Sequence, residues 1–250
     1  MNQTATAYKN RAGFTLIELS LVLVIIGLVV GGVLVGRDLI KAAETRSAVS
    51  LITQIETAAL TFRTKYNCII GDCPNATEIF GANYANYPTC NAMTNGVGNG
   101  NGNGIIDWGG GAWWQCENVM AIKTLALSGL LPAAIVSPCW NSVVIFNGIN
   151  DRCGYFYNDD LYNQVTARKA NTLNFSDLAT SGSLAAPAIS PTGTRQIDEK
   201  IDDGVPTSGK FRGLDTTAQT GGAIIANSCS TAGVYNNSDT ISCRILYYLK

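Results

Sequence analysis

The sequence predicts an α+β protein: one long N-terminal helix, apolar in its first half and amphipathic in its second, packed on a small antiparallel sheet. Three observations lead there. Residues 14–35 carry a single charge, Glu18, and no proline occurs before Pro74. Beyond Pro74, short β-branched and aromatic runs alternate with Gly, Asn and Pro clusters, the pattern of strands joined by turns.

The first half of the helix has membrane dimensions. The 22 residues from Phe14 to Val35 would span roughly 33 Å, enough for a hydrocarbon core of about 30 Å. A carboxylate in such a run costs about 2.5–3.5 kcal/mol if Glu behaves as Asp does, so something should offset Glu18. Snorkelling from a first turn with a positive dipole end explains tolerance of the charge but not its placement. Gly27 with Gly31, and Gly32 with Gly36, form two small-xxx-small pairs that permit close helix approach, although glycine is also simply common in membrane helices. After Gly36, Ile40, Ser47, Leu51, Ile55, Ala58, Phe62 and Tyr66 form one amphipathic stripe. A helix over 14–65 would be about 78 Å long.

Further elements follow from punctuation. Gly71, Asp72, Pro74 and Pro88 break regular structure. Residues 113–128 predict a second helix with Cys116, Val119, Met120 and Leu127 on one face, stopped by Gly129 and Pro132. Residues 142–146 and 152–157 read as a hairpin across 147–151. Ser190-Pro191 opens a short helix carrying Ile197 and Ile201 and ending at Gly204. Residues 223–226 and 240–249 are the last strand candidates.

Composition bounds the chemistry. The 250 residues leave enough chain after the apolar run for one globular domain. A formal charge of −1 provides no basic field, so no specific nucleic-acid partner is expected. Eight cysteines, Cys68, Cys73, Cys90, Cys116, Cys139, Cys153, Cys229 and Cys243, all lie beyond the apolar run. That suggests disulfides in an oxidising compartment, with 105 pairings open and reduced core cysteines as the alternative. Zinc fits poorly without histidine or Cys-x-x-Cys. The absence of histidine also leaves a serine or cysteine nucleophile without its usual base, so an enzyme is not expected.

Two oxygen-rich stretches are ambiguous. Residues 95–111 hold four Asn-Gly steps but one acid, Asp107, which is either a weak calcium loop or a turn cluster; no phosphate-loop lysine follows. Asp198, Glu199, Asp202 and Asp203 form the densest acidic patch, with Asp198 and Asp202 on one helix face. Like charges there oppose the helix dipole and would gain from a cation such as calcium; the competing reading is a solvated helix end with a tight Asp-Gly turn. No other cofactor is expected. Trp108, Trp113 and Trp114 are either core or a binding surface.

Lys9 and Arg11 in a polar leader, then Gly13 and Phe14-Thr15-Leu16-Ile17-Glu18, resemble the processing region of type IV prepilins and pseudopilins. The resemblance implies cleavage between Gly13 and Phe14 by a prepilin peptidase, methylation of the Phe14 amine, and a neighbouring subunit's amine as partner for Glu18. It divides the chain into a leader (1–13), a transmembrane and filament-core helix (14–36), its amphipathic continuation (37–66) and a periplasmic or extracellular pilin-like domain (67–250). Implied partners are other subunits, an inner-membrane assembly platform, and lipid before assembly. Leader removal takes the formal charge from −1 to −3. Lys9 and Arg11 favour a cytoplasmic N-terminus in the bacterial inner membrane, although Arg37 and Lys41 dilute that asymmetry. The proline many pilins carry near Gly31 is absent. The resemblance further implies a Cys229–Cys243 staple; Cys68–Cys73 is expected beside it, with Cys90, Cys116, Cys139 and Cys153 left open. Stretches at 62–67, 74–77 and 197–204 resemble a branch of uncharacterised prepilin-like proteins, which assigns no function.

A secretory signal is the weaker reading, because the apolar run exceeds 7–15 residues and ends in Gly36-Arg37-Asp38. The rival from another class is a membrane-anchored adhesin or binding domain that never polymerises.

Overall fold

The computed structural model describes residues 13–81, 99–106, 117–131, 136–140, 143–147, 153–157, 170–177, 186–216 and 225–249. The chain divides into two units, one ending at Ala43 and the other beginning at Glu44.

Helix α1 (Leu16–Tyr66) enters both units. Within the first unit none of its residues is buried; Leu16 is 88% exposed and Leu28 73%. A continuous aliphatic surface of that extent is poorly matched to water, and its length and composition meet the requirement for crossing a bilayer. A Cβ added at Gly27, Gly31, Gly32 or Gly36 would meet nothing within 4 Å, so the backbone is open to close approach there.

In the second unit α1 supplies one wall of the core. Its buried residues are Thr45, Ala48, Ile52, Ile55, Ala58 and Phe62, which corrects the expected stripe. Ile40 is 60% exposed, Ser47 is exposed, and Leu51 is only half-buried. Back from Ile55 the expected stripe takes two successive steps of four, to Leu51 and Ser47, each of which rotates about 40° past a full turn at 3.6 residues per turn and so leaves the buried face. Toward Tyr66 the two stripes coincide.

The other wall is a six-stranded antiparallel sheet. Its strands are β1 (Val136–Trp140), β2 (Val143–Asn147), β3 (Cys153–Tyr157), β4 (Thr172–Ser176), β5 (Phe211–Asp215) and β8 (Cys243–Tyr248), in the order β1-β2-β3-β4-β8-β5. A two-stranded ribbon joins β6 (Ser230–Thr231) to β7 (Val234–Tyr235). Pro138 sits in the edge strand β1, the kind of sheet position to which proline, lacking an N–H for the ladder, is usually confined. Alternate strand residues Phe156, Leu173, Phe175, Phe211, Ile245 and Tyr247 share one core with Ile52, Ile55 and Phe62. Glu56 fastens α1 to this sheet: its carboxylate pairs with Lys210 Nζ at 2.9 Å and accepts from the Tyr247 hydroxyl at 2.7 Å. Burial, and then that bond, hold the Tyr247 phenol protonated far above its ordinary range.

Three short helices complete the described fold: α2 (Ala76–Phe80), α3 (Glu117–Leu127) and α4 (Pro191–Ile201). The start expected for α3 at 113–116, with Cys116, lies outside the described residues. Met120 is buried, but Leu127 is 43% exposed and leaves the expected face; the residues described as buried are Glu117, Met120, Ala121, Ile122, Thr124 and Leu125. Ser190 caps α4, accepting from the Gly193 amide, with Pro191 in the first turn. The strand expected at 223–226 is not formed by its described part, since Ile225 and Ala226 lie in loop and turn.

Disulfides join Cys68 to Cys73 and Cys229 to Cys243. The second ties the start of β8 to the chain entering β6.

On its outer face α1 carries Thr53, Thr57, Thr61 and Thr64. Each hydroxyl donates to the carbonyl four residues earlier, at 2.7–2.9 Å. Thr53, Thr57 and Thr61 line a groove of about 490 Å³ bounded by Leu130 and Leu131.

Candidate functional site

The N-terminal site is organised by a reciprocal cap. The Thr15 amide and hydroxyl both donate to Glu18 Oε2, each at 2.8 Å, while the Glu18 amide donates to Thr15 Oγ1 at 3.3 Å. This is a capping box: Thr15 stands just before the helix, Glu18 is its third residue, and two otherwise orphaned amides are satisfied. Glu18 thus has a partner inside its own chain. Gly13 and Phe14 precede the cap in non-helical backbone, and Phe14 is 82% exposed. The peptide between them is outside the helix, where a protease could reach it without unwinding a turn. The sequence argument missed Thr15; the Thr-x-x-Glu spacing ahead of an apolar run was the signal.

The acidic patch is arranged differently from the expected shared helix face. Asp202 is the residue after α4, with non-helical φ and ψ. Its Oδ2 accepts from the Lys210 and Phe211 amides. Gly209, at φ +69°, lies so close to that carboxylate that a Cβ would overlap it. Asp203 accepts from the Val205 amide and the Ser208 hydroxyl, which hold its carboxyl below the usual range. Asp198 points inward, is fully buried, and accepts from the Tyr235 hydroxyl at 2.7 Å. Gly213 makes that bond possible, because a side chain there would overlap the Tyr235 ring. Asp198, Asp202 and Asp203 therefore converge, while Glu199 pairs with Arg195 at 3.6 Å on the helix surface.

Burial pushes Asp198 up to about 6, with the neighbouring Asp203 and Asp202 adding to the shift and the bonds from Tyr235 and the Gly204 amide opposing it. An unfolded aspartate titrates near 3.9, so the native state holds this proton more tightly. Its contribution to stability is greatest below about pH 4, falls as pH rises toward 6, and is flat above that. Asp198→Asn is expected to remove that slope and to stabilise the protein at neutral pH by on the order of 2 kcal/mol. Unfolding midpoints from pH 4 to 8 in metal-free buffer measure this; the same slope in the variant would contradict it.

The Asn-Gly segment is described over 99–106, and Asp107, Trp108, Trp113 and Trp114 lie outside the described residues. Asn101 and Asn103 accept from amides two residues on. The Gly102 and Gly104 amides donate to Asp72 at 2.6 and 2.7 Å, and the Asn101 amide donates to Glu117 at 3.0 Å. Two buried carboxylates thus anchor a run of turns; the sequence marked Asp72 only as part of a break in regular structure and did not single out Glu117.

Residues 8–34 match the family described as the prokaryotic N-terminal methylation motif, the prepilin-type signature. No curated protein and no solved structure matches the chain. A long N-terminal helix followed by a small antiparallel sheet fits the α+β layout of a pilin-like fold. Motif and apolar helix together point to a pilin-type or pseudopilin-type precursor anchored in a membrane, a structural subunit in general character.

Proposed function

We propose that this chain is a structural subunit, pilin or pseudopilin, of a type IV pilus-like or type II secretion filament. It is stored in the bacterial inner membrane with its N-terminus cytoplasmic, cleaved after Gly13 by a prepilin peptidase, methylated on Phe14, and polymerised from an inner-membrane assembly platform. The observation that carries this reading is the methylation motif over residues 8–34, seated on an apolar helix whose only charge before Arg37 is Glu18. In it, residues 1–13 are the leader, 14–36 the filament core, 37–66 its amphipathic continuation and 67–250 the exported domain. Gly27, Gly31, Gly32 and Gly36 allow close helix packing between subunits.

Glu18 has two successive partners in this scheme. Before assembly the Thr15 cap satisfies it. In the filament the terminal ammonium of a neighbouring Phe14 takes that place, since a charge pair in a low-dielectric core needs both members.

Intact mass or terminal sequencing of membrane-purified protein is expected to show Phe14 as a methylated N-terminus. A chain still beginning at Met1, or cut beyond Val35, in cells with an active prepilin peptidase would refute the processing step. A cleaved chain absent from sheared filaments would favour the non-polymerising anchored adhesin.

A further inference from the structure

An asparagine followed by glycine is a chemically weak step, because glycine, with no Cβ, lets its amide swing onto the preceding carboxamide. The glycine nitrogen attacks the asparagine Cγ, the new N–Cγ bond closes a succinimide, and the carboxamide nitrogen leaves as ammonia. Water then reopens the ring to aspartate or isoaspartate. Three such steps, Asn99-Gly100, Asn101-Gly102 and Asn103-Gly104, follow one another in the described segment. Asn101 and Asn103 are exposed, so exclusion of water gives them no protection.

The fold engages both reacting groups at every step. The Gly100 amide donates to the Cys73 carbonyl at 2.9 Å, the Gly102 amide to Asp72 Oδ1 at 2.6 Å, and the Gly104 amide to Asp72 Oδ2 at 2.7 Å. The carboxamide oxygens accept in turn, Asn99 from the Thr77 amide, Asn101 from the Asn103 amide and Asn103 from the Ile105 amide, at 2.8–2.9 Å. Glycine is needed here for its own reasons, since a Cβ at Gly100 would overlap the Asp72 backbone. The segment therefore carries the liability by construction. Conversion would also disturb the site: isoaspartate inserts a methylene into the main chain, which would shift the Gly102 and Gly104 amides off the two oxygens of Asp72.

We propose that Asp72 and Cys73, at the closing end of the Cys68–Cys73 disulfide loop, guard this segment and make its asparagines latent modification sites. They stay unreacted while the segment is docked and convert to aspartate and isoaspartate once it opens. Attack requires the glycine peptide plane to turn its nitrogen onto Cγ in a near-attack geometry. That turn breaks the amide's bond to Asp72 or Cys73 and the bond the carboxamide accepts. The guard is strongest at Asn101 and Asn103, where the acceptor is a carboxylate and the bonds are charge-assisted. Asn99 relies on a neutral carbonyl.

The test ages the full chain in detergent at mildly alkaline pH and scores positions 99, 101 and 103 by peptide mass spectrometry for asparagine, aspartate and isoaspartate. Folded wild type is expected to convert at 101 and 103 at least about tenfold more slowly than the same chain unfolded in guanidinium. Asp72→Asn keeps the shape and removes the charge, and should speed conversion at 101 and 103 by about tenfold while leaving Asn99 near its wild-type rate. Glu117→Gln should change none of the three, because the amide held by Glu117 belongs to Asn101 itself and attacks no carboxamide. Should Asp72→Asn fail to fold, the comparison of folded with unfolded wild type decides alone. Equal rates in folded and unfolded wild type would overturn the proposal. So would an unchanged rate in Asp72→Asn, a slower one, which would make the carboxylate a base for the attack, or an equal gain at all three steps in a variant that keeps wild-type dichroism.

Discussion

Glu18→Ala is expected to leave membrane insertion intact and to lower the sheared-filament fraction by at least about tenfold. Removing an acid from an apolar run makes insertion easier, by roughly 2–3 kcal/mol if Glu resembles Asp. A loss would therefore arise at assembly, where an unpaired ammonium in the filament core costs several kcal/mol. The capping box supplies a sharper control. Alanine removes both the charge and the acceptor for the Thr15 amide, so it confounds pairing with helix fraying. Glu18→Gln keeps the box, because glutamine serves at that position, and removes only the charge. Gln should fail nearly as badly as Ala, Asp should be intermediate because it is charged but one methylene shorter, and Thr15→Val should be mild. Filament and membrane fractions compared across these four variants decide it. Wild-type filament levels in Gln would mean that Glu18 acts as a cap alone.

Phe62→Ala is expected to cost about 3–5 kcal/mol of stability in the second unit. Phe62 is fully buried, with ring centroids 4.6 Å from Tyr66 and 6.1 Å from Phe80, in the core shared with Phe175 and Ile245. Truncation leaves a cavity between a rigid helix and a sheet, neither of which can collapse fully. Denaturant unfolding of the full chain in detergent, followed by near-ultraviolet dichroism, measures it. Ile40→Ala, at an exposed position in the first unit, should leave that transition unmoved, and a similar loss there would mean the core has been wrongly located.

What the sequence made legible tracks how local the signal is. The apolar run, the amphipathic turn of α1 near Phe62, the Ser190-Pro191 helix start and the β2–β3 hairpin all come from patterns within a dozen residues. Both described disulfides match the expected pairs, each closing a short loop. Strands β1, β4 and β5 and the β6–β7 ribbon were missed. β5 reads Phe-Arg-Gly-Leu-Asp, and its glycine is there to admit Tyr235 from elsewhere in the chain. Asp198 was misjudged for the same reason: a helix-end acid is solvated by default, and only the arrival of Tyr235 from β7 shows that it faces inward. Asp72 and Glu117 each serve amides far away in sequence, which no spacing rule can reveal. At the N-terminus the motif was plain, yet the meaning of Thr15 depended on noticing that Glu18 is three residues from it as well as inside a membrane-length run.

The threonine face of α1 has a consequence for contact between molecules. Thr53, Thr57, Thr61 and Thr64 direct their protons back into their own helix, leaving methyl groups and already-bonded oxygens outermost. A surface of this kind can be dried by a neighbour without stranding a donor, and it carries no formal charge that would dictate which neighbour. It tolerates sliding as well as seating: a partner shifted by one helical turn meets the same chemistry again. Subunits meeting along such a face would find their register from features elsewhere in the chain, and could stretch or twist against one another while losing few hydrogen bonds.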